Sequence, residues 1–188
     1  MSGSEPPRAV ERTPHPRPES VVLVLTGDGK GKTTSAMGTV MRAIARGWGV
    51  AVIQFVKSDA WKTGEAEVAR RLGVEFRATG EGFTWDVDDL DASIAAARAA
   101  WDEAARTIAA GKHRLVVLDE VTYPMTWGWI ETDAVVEAIR SRPPQVSVVL
   151  TGRDAAEALV QAADTVTEMV SRKHAFDQGI GALKGIDF

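Results

Sequence analysis

The stretch Thr26-Gly-Asp-Gly-Lys-Gly-Lys-Thr-Thr34 alternates glycines with cations and ends in two hydroxyls. Glycines let successive backbone N–H groups turn inward and form a nest for an anion. A helix opening near Thr33 adds the positive end of its dipole. Lys32 can reach phosphate oxygens, Lys30 supplies a second cation, and the Thr33 hydroxyl suits Mg²⁺. The expected phosphate-contacting set is Gly27, Asp28, Gly29, Lys30, Gly31, Lys32, Thr33 and Thr34, with Lys32 foremost in catalysis. The spacing departs from the usual G-x-x-x-x-G-K-[ST], because Thr26 stands where the first glycine belongs and Gly27 follows it. The competing reading is a glycine-rich turn without a ligand. The position, after a buried strand and before a helix, favours a phosphate loop.

A second candidate lies at Leu115-Val-Val-Leu-Asp119-Glu120, an apolar run ending in two carboxylates. In phosphate-loop proteins such a strand end holds Mg²⁺ or a water. Adjacent residues point to opposite faces, so one acid can face a metal and the other a neighbouring loop. The alternative is a solvated strand end. A third candidate is Phe83 and Trp85 in the loop Gly80-Glu-Gly-Phe-Thr-Trp-Asp86, which can wall a large flat ligand or simply anchor the loop. There is no cysteine, so a cysteine nucleophile, a thiolate zinc site and a disulfide scaffold are excluded. His113 precedes a strand and is expected to be exposed. His15 falls in the tail, and His174 is expected to make structural hydrogen bonds. Trp127 and Trp129 are expected in core or dimer packing.

These residues need a frame that brings them together. Val21–Leu25, Val50–Phe55, Val74–Arg77, Leu115–Asp119, Val146–Thr151 and Thr165–Val170 read as strands. Helices are expected over Thr33–Arg46, Glu65–Leu72, Asp91–Ala110, Asp133–Arg140 and Ala155–Ala163. The alternation predicts an α/β fold of the P-loop NTPase (RecA-like) type. Its mostly parallel sheet has about six strands, with helices on both faces and the ligand at the strands' carboxyl ends. Five of the eight prolines lie in residues 1–20, which read as a flexible Pro-rich segment or a lid; 21–188 form the domain.

The net charge of −4 argues against unspecific nucleic-acid binding. No apolar run is long enough to span a membrane and no signal peptide is visible, so a cytoplasmic protein is expected. No Asn/Thr-Lys-x-Asp guanine-reading motif follows the loop.

From Val21 to Phe188 the chain resembles the P-loop ATP:corrinoid adenosyltransferases, also called cob(I)alamin adenosyltransferases. The matching pieces are the loop at 26–34, Gln54-Phe-Val-Lys57, Trp61 with Gly64-Glu65, and Gly82-Phe-Thr-Trp-Asp86. Further along come Leu118-Asp-Glu-Val-Thr-Tyr123, Thr151-Gly-Arg153, Lys173-His-Ala-Phe-Asp-Gln-Gly179 and Gly185-Ile-Asp-Phe188. The resemblance implies attack by a Co(I) corrinoid on the 5′ carbon of ATP, with triphosphate leaving. It implies ATP lying reversed in the loop, and Mg²⁺, with Mn²⁺ as an alternative, held by Thr33 and Glu120 with Asp119 adjacent. Phe83 and Trp85 carry over as the corrinoid-facing pair that displaces the lower cobalt ligand. A flavin-type reductase as electron donor and a homodimer are also implied. Where the family often has Arg-Pro-Val, this chain has Val170-Ser171-Arg172. Two other readings stay open: a P-loop ATP hydrolase or phosphotransferase, and a non-catalytic nucleotide- or corrinoid-binding protein.

Overall fold

The computed structural model describes residues 15–56, 63–79 and 90–187. Its strands are β1 (Val22–Thr26), β2 (Val50–Gln54), β3 (Glu75–Ala78), β4 (Leu115–Asp119), β5 (Ser147–Thr151) and β6 (Thr165–Glu168). They form one six-stranded sheet in the order β3-β2-β4-β5-β1-β6, and every pairing is parallel. The helices are α1 (Lys32–Ile44), α2 (Gly64–Arg71), α3 (Leu90–Ala110), α4 (Thr122–Thr126), α5 (Thr132–Arg140) and α6 (Glu157–Ala162).

The two-residue period of the strands sorts their apolar side chains between two cores. Val22, Val24, Ile53, Val116, Leu118, Val148 and Leu150 face α3, α5 and α6. Leu25, Val50, Val52, Leu115, Val117 and Val149 face α1 and α2. Central strands buried on both sides must be apolar throughout, as β2, β4 and β5 are apart from Ser147 and the polar residues at their carboxyl ends. Each fully buried Ile or Leu, such as Ile53, Leu118 or Leu150, contributes about 1.5–3 kcal/mol. The edge strand β6 is exposed along its length and correspondingly polar.

The order puts β5 between β1, which leads into the phosphate loop, and β4, which ends in the acids. The carboxyl ends of β1, β2, β4 and β5 therefore converge on one rim. Helix α4 is not anticipated by the sequence, because Thr-Tyr-Pro-Met-Thr has no apolar period. Pro124 is tolerated because the first turn needs no N–H from it.

His113 departs from expectation. Its side chain is buried, with Nε2 3.0 Å from Glu75 Oε2. Glu75 belongs to β3, distant in the chain, so this burial is invisible to a local reading. Burial pushes the Glu75 carboxyl up, but Arg77, His113 and Lys112 together outweigh it and hold it below the usual range.

Candidate active site

The phosphate loop leaves β1 at Gly27 (φ 93°) and enters α1 at Gly31 (φ 115°), both in the left-handed region that favours glycine. Close approach adds a second requirement at Gly27 and Gly29. A Cβ on either would lie 2.6 Å from the Met169 carbonyl oxygen. The Gly29 N–H donates to that oxygen at 2.6 Å, so the chain just past β6 braces the loop. Lys32 Nζ curls back into the loop and donates to Gly27 O (2.6 Å) and Gly29 O (2.9 Å). Burial first, and then the charge of Arg153, pull the Lys32 ammonium below the ordinary lysine range, against Asp28, Glu120 and Asp119.

Helix α1 starts without a side-chain cap and without an acid in its first turn. Gly31 therefore offers its first N–H groups no side-chain acceptor. Helix α2 does the opposite: Thr63 Oγ1 accepts from Ala66 N, and Glu65 and Glu67 sit in the first turn.

Asp119 ends β4 almost wholly buried and is pinned from three directions. Oδ1 accepts from Thr33 Oγ1 (3.0 Å) and Thr151 Oγ1 (2.7 Å), and Oδ2 accepts from Gln54 Nε2 (2.7 Å). The Thr151 hydroxyl also accepts from Glu120 N at 2.9 Å. That bond helps hold Glu120 at φ 63°, strained for a residue with a side chain, and turns the chain away from the sheet. At the end of β5, Gly152 makes room for Thr122: a Cβ there would lie 2.0 Å from Thr122 Oγ1. That hydroxyl donates to Arg153 O at 2.6 Å. Arg153 Nε then lies 3.3 Å from Asp28 Oδ1, tying β5 to the loop. Half-buried Tyr123 has its phenol pushed up by burial and by Glu120, Asp154 and Asp28, against the lowering charge of Arg153.

The C-terminal segment crosses the same rim. Lys30 Nζ pairs with Asp187 Oδ1 at 2.7 Å, and Asp187 Oδ2 accepts from Leu183 N at 2.7 Å. These two bonds hold the Asp187 carboxyl below the usual range. Thr34 lines a recess of about 250 Å³ with Glu65 and Asp187. His174 Nδ1 accepts from Phe176 N at 3.1 Å, a local structural contact. Val170 abuts Gly29 through its backbone, while Arg172 is exposed.

The loop residues Gly27 to Thr34 and the acids Asp119 and Glu120 thus meet at one rim. Phe83 and Trp85 lie outside the described residues, as do Lys57, Trp61 and Phe188. Trp127 is partly exposed rather than lying in the core, and its ring meets those of Trp129 (centroids 4.7 Å apart) and Tyr123 (5.7 Å) at a tilt. Gln54, Thr151 and Arg153 have roles at this rim that residue type alone does not reveal. The signals are polarity at the last position of strands otherwise buried and apolar, for Gln54 and Thr151, and the place of all three in the pieces that carry the resemblance.

The Thr33 hydroxyl beside the Asp119 carboxylate is a hard-oxygen pair of the kind that suits Mg²⁺ or Mn²⁺. Among the described residues no three His, Asp or Glu side chains converge as a ready-made cage.

A parallel α/β sheet with a glycine-rich loop between β1 and α1, and an acid at the end of a nearby strand, defines the P-loop NTPase-like class. The sequence profile of the ATP:corrinoid adenosyltransferase BtuR/CobO/CobP family matches residues 18–188, and the chain belongs to that family. It is similar to a corrinoid adenosyltransferase of Pseudomonas aeruginosa, 47% identical over 170 residues, covering 89% of this chain and 83% of that protein. The corrinoid adenosyltransferase of Escherichia coli K12 is 42% identical over 168 residues, 89% of this chain and 85% of the relative. The corrinoid adenosyltransferase CobA of Salmonella typhimurium is 40% identical with the same two coverages.

Proposed function

We infer that this chain transfers the 5′-deoxyadenosyl group of ATP to the Co(I) centre of a corrinoid and releases triphosphate, in the making of adenosylcobalamin. The observation that carries the reading is family membership over residues 18–188, joined to a phosphate loop built as described. The electron pair of Co(I) forms the cobalt–carbon bond, the bond from C5′ to the bridging oxygen breaks, and that oxygen keeps its pair. Cobalt ends as Co(III), and no proton is taken from any group.

No nucleophile or general base is asked of the protein. Its work is positioning, and stabilising charge as the triphosphate leaves. Lys32 exchanges its two loop carbonyls for phosphate oxygens, and the uncapped N–H groups of α1 join it. Lys30 adds a charge that Asp187 now engages. Thr33, Asp119 and Glu120 would hold Mg²⁺, which when bound neutralises part of the triphosphate charge. Gln54 and Thr151 are positioning residues that fix Asp119. Phe83 and Trp85 wall the corrinoid, and an apolar wall disfavours a lower axial donor. A homodimer and a flavin-type reductase as electron donor complete the proposal, on the resemblance alone.

The phosphorus product tests this reading. With ATP, Mg²⁺ and chemically reduced corrinoid under anaerobic conditions, ³¹P NMR should find intact triphosphate. ADP and inorganic phosphate in its place would make the chain a P-loop hydrolase.

A further inference from the structure

At the opposite end of the sheet, where the strands begin, an apolar groove of about 550 Å³ opens between α1 and the sheet. Val21 and Leu23 form the accessible sheet wall, with the buried Leu115 and Val149 behind them, and Ala43 of α1 and Trp48 just past its end form the other wall. Its volume lies within the range of small-molecule sites, about 300–1,000 Å³. It contains none of the residues placed at the phosphate loop.

Charge at the mouth selects among occupants. Arg42 and Arg46 line the groove, are exposed, and have no acidic partner among the described residues. A third guanidinium, Arg114, is engaged on the face of Trp48, 4.4 Å from its ring centroid. No acidic side chain lines the groove. An apolar slot with two uncommitted guanidiniums matches a molecule with an apolar body and one anionic group, because a guanidinium fork pairs well with carboxylate, sulfonate or phosphate.

We propose that this groove is a second binding site, separate from the phosphate loop, for a small amphipathic anion. The anionic group would pair with Arg42 and Arg46, and the body would pack against Trp48 and the sheet. Helix α1 walls the groove near its carboxyl end and carries Lys32 and Thr33 at the other, roughly 20 Å away.

The probe is 1-anilinonaphthalene-8-sulfonate, which has the stated chemistry, titrated into the full chain with N-phenyl-1-naphthylamine as its uncharged counterpart. The expected result is one saturable sulfonate site per chain, unchanged by saturating ATP and Mg²⁺. Arg42→Glu with Arg46→Glu should weaken the sulfonate at least tenfold and leave the uncharged probe within twofold. Ala43→Leu, which fills the slot, should weaken both. Several outcomes would overturn the proposal: no saturable site, equal loss of both probes in the arginine variant, or displacement by ATP. So would a stable dimer in sedimentation that buries Trp48 from quencher and excludes the probe, since a second copy would then be the occupant.

Discussion

Helices α1 and α2 cover the same face of the sheet, yet they begin in opposite ways. Helix α2 has a threonine cap and two glutamates in its first turn, the arrangement that satisfies a helix start by itself. Helix α1 has a glycine in the left-handed region at its cap, no side-chain acceptor and no acid. A glycine in place of a capping side chain costs only about a few tenths of a kcal/mol. Helix α1 forgoes that stability where an anion is expected to supply the missing acceptors, and a carboxylate there would compete with phosphate. On the proposed function, the difference separates a helix start built for stability from one built for a ligand.

The largest effect that can break this comparison is at Lys32. Lys32→Ala should lower kcat/KM by about 100-fold or more, the scale on which a charge-stabilising donor contributes. ATP binding by calorimetry should fall with it, while the melting temperature changes little. A variant that binds ATP normally would remove α1 from the chemistry.

Gln54→Ala probes the support beneath the site. It leaves Asp119 Oδ2, buried and accepting from Gln54 at 2.7 Å, without that donor. The cost should be about 1–3 kcal/mol in denaturant unfolding. Turnover should fall, with partial recovery when Mg²⁺ is raised. A loss of stability with unchanged Mg²⁺ dependence would reduce Gln54 to a packing residue.

These two residues also mark what a local reading of the sequence reaches. Lys32 announces itself, because glycine, cation and hydroxyl at fixed spacing after an apolar run have one economical use. Gln54 does not: it becomes meaningful only when β2 pairs with β4 and sets Gln54 opposite Asp119. The same holds for Thr151 and Arg153, which parallel pairing of β5 beside β1 brings to the loop. The burial of His113 is hidden for a similar reason, since its partner Glu75 arrives from β3, distant in the chain. Strand periods and loop chemistry are local and legible, whereas contacts across a parallel sheet are settled by strand order.

A smaller effect sharpens the electrostatics of α1. Lys32 must be protonated to hold phosphate, and burial and Arg153 lower its pKa. Affinity for ATP should therefore decline with rising pH from a point below 10.5, the ordinary lysine value. Arg153→Ala removes the repelling cation, so the decline should start at higher pH. An unmoved profile would show that Arg153 does not act on Lys32.

The smallest effect is the control on α2. Thr63→Ala should cost about 1 kcal/mol of stability, a shift of roughly 2–4 °C in Tm for a chain of this size. It should leave KM for ATP unchanged. A rise in KM equal to that of a loop variant would erase the distinction between the two helix starts.

The most direct test is a single turnover under anaerobic conditions with chemically reduced cob(I)alamin, ATP and Mg²⁺, followed in the visible spectrum. An adenosylcobalamin spectrum should appear in step with ATP consumption, one for one, and be absent with Lys32→Ala. ATP consumed with no change at cobalt would contradict adenosyl transfer.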